Sequence, residues 1–269
     1  MVLINGKREH SLDVTDRGLQ YGDGLFETLA VNNGQVIFLH EHLQRLKQGC
    51  ERLLIPCPEL DLLKDEVIQL VENTSQAVLK IIVTRGSGGR GYRQPDRILA
   101  TRILSLHPYP DYPLSFKQQG VVIRFCRMRL GLNPSLAGIK HLNRLEQVLA
   151  RAEWQDPGIQ EGLMSDALDR VIEGTMSNLF FIKDQALVTS PLTFSGVDGI
   201  IRQQVMQLAT LYGISIREMF FNREILLAAE EVFLTNSIIG IWPVRQLEQQ
   251  LFSLGGITQK LMTGLERSP

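Results

Sequence analysis

The chain has 269 residues, 44% of them hydrophobic and 21% charged, with a formal net charge of −1. That composition fits a folded globular protein with one large domain or two small ones, and its charge balance gives no reason to expect nucleic acid or an anionic membrane as a partner. No stretch approaches the roughly 20 apolar residues of a membrane span, and the opening apolar run stops at Asn5, short of a secretory signal. Cys50, Cys57 and Cys126 are odd in number and lack metal-ligand spacing, so a reduced, cytoplasmic setting is expected. His40 and His42 lie close together but have no acidic or cysteine partner at motif spacing, so no metal is expected.

In chain order, residues 2–5 and 35–39 read as strands flanking the segment 21–31. Leu43, Leu46, Cys50 and Leu53 form a helical stripe closed by Pro56 and Pro58. Arg45 lies on the polar face of that helix, where Glu41 offers an i,i+4 ion pair. Leu60, Leu63, Val67 and Leu70 predict a second helix, and residues 78–84 a strand. The loop Gly86-Ser87-Gly88-Gly89-Arg90-Gly91 then matches the spacing of a dinucleotide fingerprint, with Asp111 at the distance of its acidic residue. The match fails on context, because Tyr92-Arg93-Gln94-Pro95 and a further strand at 97–106 follow where a helix has to open. Arg85, Arg90, Arg93 and Tyr92 make this loop either a solvated hairpin or a clamp for a carboxylate-bearing substrate. Three prolines within 107–113 then predict a linker between two α/β domains, 1–106 and 114–269.

The second half opens on a strand at 120–127. Leu142, Leu145, Leu149 and Ala152 recur at helical spacing and predict a packed helix from about Asn143. Lys140 sits at the root of that helix. Either it is a surface lysine, or partial desolvation lowers its pKa and leaves the neutral amine that a Schiff base requires. Strands are expected at 161–166, 177–182 and 186–189. Glu173 follows Val171-Ile172 at a strand end, where a half-buried carboxylate needs a cationic or hydrogen-bonding partner such as a pyridinium nitrogen. Ser195-Gly196-Val197-Asp198-Gly199 precedes a helix carrying Ile201, Val205, Leu208 and Tyr212. It reads as an anion site or as an ordinary glycine-rich loop. A buried strand at 231–235 ends in Asn236-Ser237, whose hydroxyl could serve the same anion, and the tail from about residue 257 reads as helical. Strands and helices are mixed without the regular alternation of a doubly wound sheet.

The chain resembles the fold-type-IV pyridoxal-phosphate enzymes, which include branched-chain aminotransferases, D-amino-acid aminotransferases and aminodeoxychorismate lyases. The resemblance runs nearly end to end. It is carried by Asp16-Arg17-Gly18-Leu19-Gln20-Tyr21-Gly22-Asp23-Gly24-Leu25-Phe26-Glu27-Thr28, His42-Leu43-x-Arg45-Leu46, Thr84-Arg85-Gly86, the Lys140 segment and Glu173-Gly174-Thr175-x-Ser177-Asn178-Leu179-Phe180. The long runs 85–92, 130–149 and 196–203 resemble the lyase branch most. Branched-chain enzymes place a tyrosine five residues after the Schiff-base lysine, and here that position is Leu145.

The resemblance implies a mixed α/β, two-domain fold with pyridoxal 5′-phosphate at the domain interface, in a homodimer. It assigns Lys140 to the Schiff base and to proton abstraction, and Glu173 to the pyridine nitrogen. It assigns the cofactor phosphate to Arg45, the backbone N–H groups of Ile200 and Ile201, and Ser237. Arg90, Tyr92, Arg93, Thr28 and Asn236 are the candidates for substrate contacts. The implied reaction releases pyruvate from a small-molecule aminodeoxychorismate and leaves 4-aminobenzoate, a folate precursor. The alternatives are a D-amino-acid or related aminotransferase on the same fold, using Lys140, Glu173 and Arg45 in the same way, and a non-catalytic cofactor binder, which would not need both Lys140 and Glu173.

Overall fold

The strand that begins at Gly24 shows how the first half is built. Leu25, Leu29 and Val31 point into an apolar core, while Phe26, Thr28 and Ala30 take the other face, as the two-residue period of a strand requires. The computed structural model describes residues 1–267. They divide into two units, one of residues 1–110 with Ile139–Asn143, the other of Asp111–Gly138 with the chain from Arg144 onward.

The first unit runs β1 (Val2–Ile4), α1 (Arg17–Tyr21), β2 (Gly24–Asn32), β3 (Gln35–Val36), α2 (Leu39–Leu53), α3 (Leu60–Val71), β4 (Gln76–Thr84) and β5 (Thr101–His107). Its strands form one antiparallel sheet in the order β1-β5-β4-β2-β3. Leu43, Leu46 and Cys50 of α2 and Leu63, Val67 and Leu70 of α3 close over it, as their spacing predicts. The strand expected over 35–39 is only two residues long, because Phe38 turns left-handed and α2 starts at Leu39. The strand expected from residue 97 starts at Thr101, and no helix follows the glycine-rich loop.

The second unit runs α4 (Ser115–Gln118), β6 (Val121–Leu130), α5 (Leu145–Arg151), β7 (Glu161–Asp166), β8 (Val171–Gly174), β9 (Asn178–Lys183), β10 (Ala186–Thr189), α6 (Ile200–Leu211), β11 (Ile216–Glu218), α7 (Arg223–Leu227), β12 (Glu231–Asn236), β13 (Gly240–Leu247), β14 (Gln250–Leu251) and α8 (Gly256–Glu266). The sheet order is β11-β10-β9-β12-β13-β6-β7-β8, with β14 on β13. β8 also pairs back onto β9 through Glu173 and Asn178, so part of this sheet closes on itself at those two residues.

Two expectations need correction. The stripe on α5 does not face a core, because Leu145 and Leu149 are exposed and Ala150 is the residue that packs inward, beside Trp154, Cys126 and Leu130. Helical spacing reports a shared face but not which side the core lies on. Lys140, expected within the second domain, belongs to the first unit. The reason is backbone pairing: Phe26 N–H donates to the Lys140 carbonyl at 3.0 Å and Leu142 N–H to the Gly24 carbonyl at 2.9 Å, so the segment lies along β2. Among the described residues, no helix is long and apolar enough to cross a membrane.

Candidate active site

In the first unit, Lys140 is half-buried and its Nζ sits 4.3 Å from the centre of the Phe26 ring. Phe26 belongs to the strand face that also carries Thr28, so Thr28 is placed on the same side of β2 as the ring beneath the lysine. Lys80 of β4, the register partner of Thr28, approaches the same ring at 5.4 Å.

The opposite face of β2 carries Glu27 among its leucines, 1% exposed. An unpaired carboxylate there would be costly, and two residues of α2 satisfy it. Arg45 donates to Oε1 through Nε at 2.9 Å and to Oε2 through Nη2 at 2.5 Å, and His42 Nδ1 lies 2.6 Å from Oε2. Burial pushes the Glu27 carboxyl up, but the Arg45 guanidinium and the His42 hydrogen bond outweigh it and hold the group at about 2. His42 is driven below its ordinary range by burial, with Arg45 and Lys140 adding to the effect and Glu27 opposing it. We therefore assign a neutral imidazole that donates its Nδ1 proton to an ionised Glu27. Arg45 thus pairs with Glu27, because β2 brings a buried acid within reach of the fork. The result is an arginine held in one orientation by two of its nitrogens.

In the second unit, Glu173 is 4% exposed. Its Oε2 accepts the Val197 N–H at 2.8 Å and lies 3.4 Å from the Asn178 amide nitrogen, which also donates to the Val197 carbonyl at 2.8 Å. The loop 195–199 is therefore tied to Glu173 and Asn178. It delivers Gly199 as the cap of α6, and a Cβ on Gly199 would overlap Asn178 Oδ1. A glycine cap brings no side chain to the first-turn N–H groups of Ile200 and Ile201, and the turn holds no acidic residue. Such a helix start suits an anion. Ser237 follows in the turn after β12, and Asn236 fixes that turn by accepting from Ile238 and Ile239 N–H, both at 2.9 Å, while donating to the Met176 carbonyl at 3.0 Å. Ser195 Oγ and Thr235 Oγ1 are buried without a protein partner. A buried carboxylate, an uncapped helix start and orphaned hydroxyls beside it fit a phosphate-bearing pyridine.

The arginine loop divides into root and tip. Arg85 is buried, donating to Asp23 and to the Leu53 and Leu54 carbonyls that end α2. Arg17 also holds Asp23 and donates to the Gly91 carbonyl at 2.9 Å, while Gly91 N–H donates to the Tyr21 hydroxyl at 3.2 Å. Burial pushes the Asp23 carboxyl up, but Arg85 and Arg17 outweigh it and leave it below its usual range. Arg90, Tyr92 and Arg93 form an exposed tip. Tyr92 sets its edge against Tyr21, and Arg93 pairs with Asp96 at 2.7 Å with both side chains more than four-fifths exposed.

Glu27 and His42 carry this geometry without having been assigned a role from the sequence. A signal existed: an acid in phase with Leu25 and Leu29 has to be paired, and His42 and Arg45 stand one turn apart on the next helix.

The family model for class IV amino-transferases matches residues 24–247. An aminodeoxychorismate lyase of Vibrio harveyi is 34% identical over 269 residues, covering 98% of this chain and 99% of the relative. The crystal structure of a 4-amino-4-deoxychorismate lyase from Pseudomonas aeruginosa superposes with a TM-score of 0.96 at 46% identity, covering 99% of this chain and 98% of that one. A branched-chain aminotransferase structure from Escherichia coli gives 0.88 at 27% identity, covering 97% and 92%.

Proposed function

Because the chain belongs to the class IV amino-transferase family, we infer that it is a pyridoxal-phosphate-dependent lyase converting 4-amino-4-deoxychorismate to 4-aminobenzoate and pyruvate. The observation that carries this reading is the end-to-end likeness to a lyase of solved structure, stronger than that to the branched-chain aminotransferase. The Leu145 side chain agrees with it, since it is exposed and has no phenol to offer a cofactor.

When bound, pyridoxal phosphate supplies an electron sink for a breaking C–H bond. In our reading Lys140 would hold the cofactor covalently, and its Nζ would take the proton from the substrate carbon that bears nitrogen. Phe26 supports the Lys140 side chain from below. Glu173 would keep the pyridine nitrogen protonated. Arg45, oriented by Glu27, would serve the phosphate, a role we also propose for the N–H groups of Ile200 and Ile201 and for the Ser237 hydroxyl. Expulsion of the enolpyruvyl oxygen leaves an aromatic ring, which makes the elimination downhill. Arg90, Tyr92, Arg93, Thr28 and Asn236 remain the residues we propose for substrate contact. We place the enzyme in the cytoplasm as a homodimer. Leu145, Val148 and Leu149, exposed together on α5, support a covered face.

The deciding assay supplies aminodeoxychorismate and pyridoxal phosphate with no 2-oxo acid. Release of 4-aminobenzoate and pyruvate in equal amounts is expected. Turnover that waits for a 2-oxo acid would make the chain a transaminase instead.

A further inference from the structure

Glu161, the first residue of β7, is 1% exposed and has no role in the proposed site. Its two oxygens face five donors. Oε1 accepts from Gly162 N–H at 2.8 Å, Thr175 N–H at 3.1 Å and Thr175 Oγ1 at 2.6 Å. Oε2 accepts from Met176 N–H at 3.1 Å and Ser177 Oγ at 2.8 Å. Three of these donors are backbone N–H groups that cannot reverse direction, so the set matches an acceptor on both oxygens.

Four of the five belong to the reversal Thr175-Met176-Ser177 between β8 and β9. Glu173 stands on one side of that reversal and Asn178 on the other, paired with each other and with Val197. A Cβ on Gly174 would collide with Ser177 Oγ and fall 2.8 Å from Glu161 Oε2, so the turn closes directly onto the carboxylate. From the same turn, the Met176 carbonyl receives the Asn236 amide that fixes the backbone before Ser237.

We propose that Glu161 is a positioning residue: its carboxylate locks the 174–177 turn and thereby aligns Glu173 with the pyridine nitrogen and Ser237 with the phosphate. The proposal rests on the reading of Glu173 given above. Glu161→Gln keeps the size of the side chain but turns an NH₂ toward N–H groups on whichever side it faces, so at least one backbone donor loses its acceptor.

The test uses the chain loaded with pyridoxal phosphate and measures two quantities besides turnover. These are the dissociation constant of the cofactor and the pH midpoint of its visible absorption, in the wild type, E161Q, E173Q and the double variant. We expect E161Q to weaken cofactor binding on the order of tenfold, the scale on which outer partners act on a held group. We expect it to move the midpoint by about half a pH unit or more. In the E173Q background the E161Q shift should vanish, because the two act through one carboxylate. A purely structural Glu161 would lower the unfolding midpoint in both backgrounds and leave the absorption midpoint in place, which overturns the proposal. If E173Q itself leaves the midpoint unmoved, the reading of Glu173 falls and the proposal with it. Thr175→Val removes one of the five hydrogen bonds and keeps the carboxylate. It should give a smaller shift of the same sign even if E161Q folds poorly, and no shift in a folded Thr175→Val protein also counts against the proposal.

Discussion

His42 Nδ1 lies 2.6 Å from Glu27 Oε2, and both side chains are excluded from solvent. The neutral imidazole fills one side of a carboxylate whose charge is balanced by Arg45 on the other. Removing that charge leaves Arg45 buried beside a neutral group. Glu27→Gln should therefore destabilise the chain by on the order of 3 kcal/mol. It should also weaken pyridoxal phosphate binding, since the guanidinium loses its bidentate partner. Urea unfolding and cofactor titration of the variant check the two effects separately; an unchanged cofactor affinity would separate Arg45 from the phosphate.

The same pair predicts acid sensitivity. Both groups titrate lower in the folded chain than in the unfolded one, so the unfolded state binds protons first and stability falls as pH falls. The loss through His42 begins as pH drops below its unfolded value of 6.5. The loss through Glu27 runs from its unfolded value of 4.5 down to about 2 and is of order 3 kcal/mol in all. Urea midpoints measured from pH 8 downward should decline, and Glu27→Gln should flatten the lower part of the curve.

Two lysines border the Phe26 ring, Lys140 at 4.3 Å and Lys80 at 5.4 Å. Only Lys140 is expected to carry the cofactor. Borohydride reduction of the loaded enzyme should label the Lys140 peptide. Lys140→Ala should abolish both label and nearly all turnover, whereas Lys80→Ala should keep the label. A label on Lys80 would reverse the assignment.

Glu173 is expected to tune the cofactor rather than to anchor it. Glu173→Gln preserves the shape that accepts Val197 N–H but removes the charge that keeps the pyridine nitrogen protonated. Cofactor should remain bound while kcat falls on the order of a hundredfold, the scale of losing one preorganised electrostatic partner. A kcat within a few fold of the wild type would exclude this role.

What the sequence disclosed depended on whether one segment or two were involved. Lys140, Glu173 and the loop before Ile200 stand in local runs, so each can be named as a candidate from the sequence alone. Glu27 acts through His42 and Arg45, and only the register of β2 against α2 joins them. Glu161 escaped notice for the same reason, since four of its five donors lie on the turn after β8. Strand and helix periods located most elements to within a few residues. They failed on α5, where small Ala150 faces the core and the leucines do not, and on Lys140, whose pairing along β2 overrides its place in chain order.

The arginine loop is the place where specificity is most open to test. Its root is fixed by Arg17, Tyr21 and Arg85, so the exposed tip with Arg90, Tyr92 and Arg93 projects from a rigid base. The substrate carries two carboxylates, and an arginine fork suits each. Removing a charge-assisted hydrogen bond at either position costs about 1.5–3 kcal/mol, roughly ten- to a hundredfold in kcat/KM. Arg90→Ala and Arg93→Ala should each lower kcat/KM on that scale and leave cofactor absorbance intact. Arg93 already has an exposed partner in Asp96, an ion pair of a kind that contributes little to stability. Asp96→Ala should therefore leave both activity and unfolding nearly unchanged, and it separates breaking the ion pair from breaking a bond to substrate. If neither arginine variant alters kcat/KM by more than about threefold, below the energy of one such hydrogen bond, the tip is solvated and the carboxylates bind elsewhere.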